Sequence, residues 1–408
     1  MILTMKKATI ETGIDILINT LTAKPPTWLA NKRLGILLNP ASLNTKLQSS
    51  ADVIDQSFPK QLKAIFTPQH GYFAAKQDNM IESYDLVHPK LNIPVFSLYG
   101  KTRMPTPDMM DHIDTMLIDI QDVGTRVYTF IYTISYCMEA AKKAGKTIVI
   151  LDRPNPISGT QVEGNCLEPE FASFVGRYPI PMRHGLTVAE FARYINDTAN
   201  IHCDLEIVQM NGWKRGMYFD NTDLTWVAPS PNMPTVNTAM VYPGQVIFEG
   251  TNISEGRGTT QPFEIMGAPF IDNEKLISDL GDLPGIYLRP LCFEPTFNKW
   301  KGVLCQGFQI HVIDREKYNS YVSSLKILQA IIRRYSDNFK WKNPPYEYEF
   351  DKMPIDLIIG NQHLRIAIEK GHDIDTLQRQ WQPLTDEFKN ISKSYLLYEN
   401  CDAFFEKS

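Results

Sequence analysis

Five short apolar runs punctuate the first 150 residues, and each breaks off into polar and turn-forming residues. They are RLGILLN (Arg33 to Asn39, then Pro-Ala-Ser), LKAIFTP, IPVFSLYG (Ile93 to Gly100), DTMLIDIQDVG (Asp114 to Gly124) and KTIVILDRPNP (Lys146 to Pro156). Between the fourth and fifth, YTFIYTISYCMEAAKKAG has helical spacing and closes on Lys142, Lys143 and Gly145, a usual helix stop. Near-continuous apolar strands that alternate with helices predict a parallel sheet covered on both faces.

Further along, TVAEFARYIN (Thr187 to Asn196) predicts a helix with a capping box, which gives Glu190 a structural role. CDLEIVQM reads as another strand. Trp226 to Phe270 is dense in Pro, Gly, Asn, Ser and Thr, with aromatics and charges among them, and is expected to form a packed active-site wall. The texture then changes to an α+β mixture, so we expect two units: residues 1–270, and a smaller α+β unit over 271–408. Near the start, Ile14, Leu17, Ile18 and Leu21 fall at helical spacing around Asp15. That reads as an amphipathic helix and not as a signal peptide.

Composition narrows the function classes. A net charge of -5 and the lack of a basic block argue against nucleic-acid or anionic-membrane partners. No apolar run reaches the ~18 residues of a membrane span. Six cysteines (137, 166, 203, 292, 305, 401) are scattered without metal-like spacing, which predicts reduced thiols and a cytoplasmic protein. GxGxxG and GxxxxGK[ST] are both missing, so no nucleotide cofactor is expected. His70, Asp78, Asp122, Asp152 and His184 have ligating atoms but no HxH or HxxxH spacing, so no metal is expected either. Ser158 and Ser254 lack the GxSxG elbow.

Ligands of open α/β sheets bind outside the carboxyl ends of the strands. Five polar strand endings together point to such a site, although Asn, Asp, Gly and Pro are also what turns require.

The runs PQHG, IPVFSLYG, DIQDVGTRVYTFIYT, LDRPNP, VEGN, SFVGRYPIPMRHGLTVAEFA, PSPNMPT and EGTNISEGRGTTQPFEIMGAPF are longer than chance provides. They resemble the NamZ-like exo-β-N-acetylmuramidases (the YbbC type, once a domain of unknown function), from about Glu11 almost to the C-terminus. The resemblance implies a Rossmann-like open parallel sheet with a smaller C-terminal domain. It also implies hydrolysis of non-reducing-end N-acetylmuramic acid from peptidoglycan fragments, with no metal or cofactor and a small carbohydrate or muropeptide as partner. One departure stands out. The family pattern reads Pro-Glu-His-Gly with a Gly-Glu pair some ten residues on; this chain has Pro68-Gln69-His70-Gly71 and Asn79-Met80.

Glycoside cleavage needs a carboxylic acid and a second carboxylate, the acid being held protonated by its surroundings. Glu82 is the expected acid, with Asp78 as its rival or as an orienter of His70. Glu163, beside Gly164, is the expected second carboxylate. His70 could shuttle a proton, and both His70 and His184 could donate to substrate. The lactyl carboxylate of N-acetylmuramic acid calls for a cation. Arg126, Arg153, Arg183 and Arg257 are the candidates, Arg126 preferred, with Arg153 free to pair instead with Asp122 or Asp152. Gln69, Asn79, Asp122, Tyr128, Asp152 and Asn155 are expected to bind sugar, and Glu249, Asn252 and Glu255 to complete the wall, unless Glu255 only pairs with Arg257. A sugar-binding protein without hydrolase activity, or a hydrolase of another glycoside, is the alternative.

Overall fold

The five apolar runs become the parallel core of one seven-stranded sheet. A computed structural model describes residues 7–78 and 80–400. The strands are β1 (Leu34–Leu38), β2 (Leu62–Thr67), β3 (Leu86–Val87), β4 (Pro94–Ser97), β5 (Thr115–Asp119), β6 (Thr147–Leu151), β7 (Glu163–Cys166), β8 (Pro181–Arg183) and β9 (Asp204–Val208). The sheet runs β3-β4-β2-β1-β5-β6-β9, and every pairing is parallel except that of the two-residue edge strand β3 with β4. All five residues of β1 and of β5 are buried, as strands covered on both faces must be. The chain steps outward from β1 to β2 and β4, then returns to β5 and proceeds the other way. This doubly wound order opens a crevice at the carboxyl ends of the strands.

The expected helix after β5 spans Phe130–Ala144. It stops where Gly145 adopts φ 62°, with Lys142 and Lys143 in the last turn against the helix dipole. Thr187 and Glu190 form the expected capping box on the helix Val188–Thr198. At the N-terminal end, Gly13–Ile16 is helical and continues as a wider π turn over Leu17–Leu21, burying Ile14 and Leu17. Gly13 presses on the end of β6, where a Cβ would lie 2.4 Å from the Asp152 nitrogen.

Strands β7 and β8 pair as a small antiparallel ribbon. A second antiparallel sheet, order β10-β12-β11, is built from β10 (Ile265–Ala268), β11 (Ile286–Phe293) and β12 (Cys305–Val312). Its first strand precedes residue 270, where the sequence division was placed. The segment Trp226 to Phe270 also differs from the irregular wall expected, because it contains the helix Val236–Gln245 capped by Thr235. Pro243 and Gly244 hid it. Both sit in its last turn, where a Cβ on Gly244 would meet the Ser320 carbonyl oxygen. One continuous apolar core, with Ile118, Ile150, Met240, Phe308 and Leu328 among its members, joins the two sheets. Among the described residues no helix is long and apolar enough to cross a membrane.

Candidate active site

Thr67 and Pro68 end β2, and the next residues leave the sheet sharply: His70 and Gly71 take φ values of 75° and 70°. Gln69 is buried and spans a gap between two partners. Its Oε1 accepts from the Thr129 hydroxyl at 2.7 Å, and its Nε2 donates to Glu347 Oε1 at 3.3 Å. His70 Nδ1 lies 2.7 Å from the Lys76 carbonyl oxygen. A carbonyl only accepts, so Nδ1 carries the proton and Nε2 keeps its lone pair. Loss of solvent, with a smaller contribution from the Arg257 cation, pushes the His70 pKa down to about 4, and the ring is neutral near pH 7.

The facing wall comes from the C-terminal half. Glu249 stands on the tight turn Val246–Gly250 and is almost wholly buried. Its Oε1 accepts from Arg257 Nη2 at 2.6 Å and its Oε2 from the Tyr346 hydroxyl at 2.7 Å. Arg257 also pairs with Glu255 at 3.3 Å, and Glu255 with Lys299 at 2.6 Å. Glu347 follows Tyr346, and with Tyr348 it holds a left-handed backbone (φ 45° and 69°). Such a conformation costs on the order of 1–3 kcal/mol per residue and is often found at functional sites. Glu347 Oε2 accepts from the Tyr99 hydroxyl at 2.6 Å.

These surroundings drive the two carboxyl groups apart. Burial opposes charge on both. At Glu249 the adjacent Arg257, with Tyr346 and Lys299, more than offsets it, and the pKa is lowered. At Glu347 burial prevails, aided by the negative charge of Glu249, over the hydrogen bonds from Tyr99 and Gln69, and the pKa is raised. Both carboxyl groups line one pocket. Gln69, His70, Tyr128, Glu249, Arg257, Tyr346 and Glu347 supply its polar surface, and Met233, Phe263 and Val175 part of its apolar surface.

Of the residues expected from the sequence, Gln69, His70, Tyr128 and Arg257 meet in this pocket, with Glu255 behind Arg257. Others lie elsewhere. Glu82 is solvent-exposed, outside the pocket lining, with a long contact of 3.4 Å from the Tyr348 hydroxyl. Asp78 accepts from Asn298 at 2.8 Å, and the His70 Nδ1 it was expected to orient is taken by the Lys76 carbonyl. Glu163 is buried in an ion pair with Arg183 and also accepts from the Tyr321 amide at 3.3 Å; both side chains are consumed by the β7–β8 ribbon. Asn79 lies outside the described residues.

Arg126, the preferred anion binder, is fully buried. It donates to the carbonyls of Asn165 (2.7 Å), Ile180 (3.0 Å), Ile358 (3.0 Å) and Ile359 (2.8 Å), so no substrate carboxylate reaches it. Arg153 pairs with Asp119, neither with Asp122 nor with Asp152. Asp152 accepts from Thr187, the Ala189 amide and Tyr398, which locks a helix end to the sheet. Asn155 bonds to the Leu186 carbonyl and the Ile157 amide. Asn252 ties the backbone at 338 and 340. His184 is buried and pushed down to about 3 by desolvation. Its Nδ1 accepts from the Leu186 amide, and its Nε2 lies 3.9 Å from Asp122, whose carboxyl burial raises to about 7.

Sequence reasoning missed Glu347, Tyr346 and Tyr99. For Glu347 and Tyr346 the available signal was PPYEYEF, alternating aromatic and acidic residues after two prolines, far from any strand ending, whereas Tyr99 lies in the strand ending SLYG. Among the described residues no group of three or more His, Cys, Asp or Glu side chains is placed to hold a metal ion.

Comparison with known proteins covers nearly the whole chain. Residues 34–237 match the family model for the N-terminal part of the exo-β-N-acetylmuramidase NamZ, and residues 240–398 the model for its C-terminal part. The chain is 44% identical over 398 residues to the peptidoglycan β-N-acetylmuramidase NamZ of Bacillus subtilis (strain 168), covering 97% of this chain and 93% of that protein. Two crystal structures of DUF1343 family proteins from Bacteroides fragilis share the fold. One is 32% identical with a TM-score of 0.84, covering 97% of this chain and 100% of the other. The second is 26% identical with a TM-score of 0.71, covering 96% and 99%.

Proposed function

Because the chain belongs to the NamZ family of exo-β-N-acetylmuramidases along both of its parts, we infer that it is a glycoside hydrolase that releases N-acetylmuramic acid from the non-reducing end of peptidoglycan fragments. The observation that carries the mechanism is the divergence of Glu249 and Glu347 within one pocket, one kept ionised and the other pushed toward its protonated form. Two carboxyl groups with opposed shifts are the usual mark of an acid and its partner.

Glu347 is the general acid, handing its proton to the glycosidic oxygen as the bond to the anomeric carbon breaks. Tyr99 and Gln69 hold its two oxygens. Glu249, charged and fixed by Arg257 and Tyr346, faces the positive charge that develops on the sugar ring. Neutral His70 offers Nε2 as an acceptor for a substrate hydroxyl or amide. Gln69, where the family pattern carries a glutamate, works as a positioning group for the acid and not as the acid itself.

Action in the cytoplasm is our reading of location, supported by the five described cysteines, none of which is in a disulfide. The test of function is release of nitrophenol from a nitrophenyl N-acetylmuraminide. Glu249→Gln is expected to abolish this turnover, and Glu347→Gln to reduce it less severely, because a nitrophenolate departs with little protonation. Calorimetric binding of the sugar without any turnover by the unmodified protein would make it a binding protein instead.

A further inference from the structure

The four arginines considered as partners for the substrate's acidic group are all engaged: Arg126 by carbonyls, Arg153 by Asp119, Arg183 by Glu163, and Arg257 by Glu249 and Glu255. A fifth, Arg103, stands differently. It follows β4 in the loop YGKTR, partly exposed, with its guanidinium carbon 4.0 Å from the ring centre of Tyr99, 4.5 Å from that of Tyr348 and 5.2 Å from that of Phe174. Its polar contact within the described residues is one 3.2 Å hydrogen bond from Nη1 to the Gly100 carbonyl, and no carboxylate pairs with it there.

Three aromatic faces fix the plane of this guanidinium without consuming its N–H donors, since ring faces attract its charge but take few hydrogen bonds. An exposed arginine loses rotamer freedom when it binds an anion; here three ring contacts already restrict it. Its position relative to the chemistry is set by two shared residues. Tyr99, the ring closest to the guanidinium, carries the hydroxyl that binds Glu347, and Tyr348 is the next residue after Glu347. The Arg103 charge is felt at Glu347. It therefore stands beside the acid yet outside the Glu249–Arg257 pair.

We propose that Arg103 is the specificity-determining residue for the substrate's acidic substituent, binding the lactyl carboxylate of N-acetylmuramic acid through its unspent donors while the aromatic rings hold its plane. The proposal rests on the functional reading above. A planar guanidinium matches a carboxylate with two parallel hydrogen bonds, and lysine does not reproduce that geometry.

The test compares a nitrophenyl N-acetylmuraminide with the same compound carrying a neutral lactyl amide. The unmodified enzyme should prefer the acid by about 10- to 100-fold in kcat/KM, the range of a charged hydrogen-bonded contact. Arg103→Gln should collapse that preference, through KM on the acid more than through kcat, and Arg103→Lys should restore part of it. Unchanged preference in Arg103→Gln, or an equal loss on both compounds, overturns the proposal while leaving the hydrolase reading intact. An enzyme that binds both sugars without cleaving either sinks the hydrolase reading alone, and the acid-to-amide affinity ratio by calorimetry, with and without Arg103→Gln, then decides. Absence of both binding and cleavage removes the two together.

Discussion

Gln69 and Glu347, 278 residues apart in the chain, meet at 3.3 Å, and the amide of one donates to the carboxyl of the other. A sheet-end loop and a C-terminal turn thus share one hydrogen bond at the heart of the pocket. Since Thr129 already donates to Gln69 Oε1, the amide is oriented with its nitrogen toward the acid.

This arrangement makes Glu347→Gln the most damaging isosteric change. General acid catalysis contributes about 10²–10⁴-fold, and we expect a loss of that order in kcat on muraminides with poor leaving groups. A nitrophenolate leaving group needs less protonation and should suffer less. Steady-state rates on the two kinds of substrate check the point, and equal losses on both would remove Glu347 from the acid role.

The pH profile follows from the signs. Glu347 has a raised pKa and, as the proposed acid, would act while protonated, so activity is expected below that pKa and to be lost as pH rises through it. Glu249 has a lowered pKa and, as the proposed partner of the acid, would act while ionised, so activity is expected to be lost only as pH falls through that lower value. The expected kcat/KM profile is a bell with an alkaline limb displaced above the ordinary glutamate range. Gln69→Glu, which restores the family residue, adds a like charge beside Glu347 and should move the alkaline limb further up. A limb that stays in place would show that Gln69 is not electrostatically coupled to the acid.

Glu82 and Glu163 should respond in opposite ways. Glu82→Gln alters an exposed side chain outside the pocket, and kcat/KM is expected to stay within about twofold. Glu163→Gln leaves the buried Arg183 without its counter-charge, a change that costs about 3–5 kcal/mol. Urea denaturation should register it, while kcat per folded molecule is retained.

Product stereochemistry resolves what Glu249 does. If it attacks the anomeric carbon, proton NMR during early turnover will show the β-anomer of N-acetylmuramic acid; if it activates water, the α-anomer will appear first.

Much of the sheet was legible in the chain because buried parallel strands leave unbroken apolar runs and tight stops. The helix Val236–Gln245 was not, since Pro243 and Gly244 mimic a loop, although Gly244 is there because the helix crosses close to the Ser320 backbone. Polar strand ends were informative as a set and misleading one by one. Asn39 and Ser42, Asp119 and Arg153, and Asp152 all spend their hydrogen bonds fastening loops to the sheet. Turn-making and ligand-binding draw on the same residue types. Glu347 was invisible for a different reason: its importance comes from burial and from Glu249, which local pattern does not report.

The guanidinium of Arg126 gathers two carbonyls from the ribbon region and two from Ile358 and Ile359, just beyond the turn that bears Glu347. A nascent polypeptide still on the ribosome before that point has β2 and Gln69 in hand, but it lacks both the acid and two of the acceptors that anchor its surroundings. On the proposed mechanism, catalytic competence thus waits for residue 347, and a product truncated before it is expected to be inert toward cell-wall glycans however well its sheet had formed.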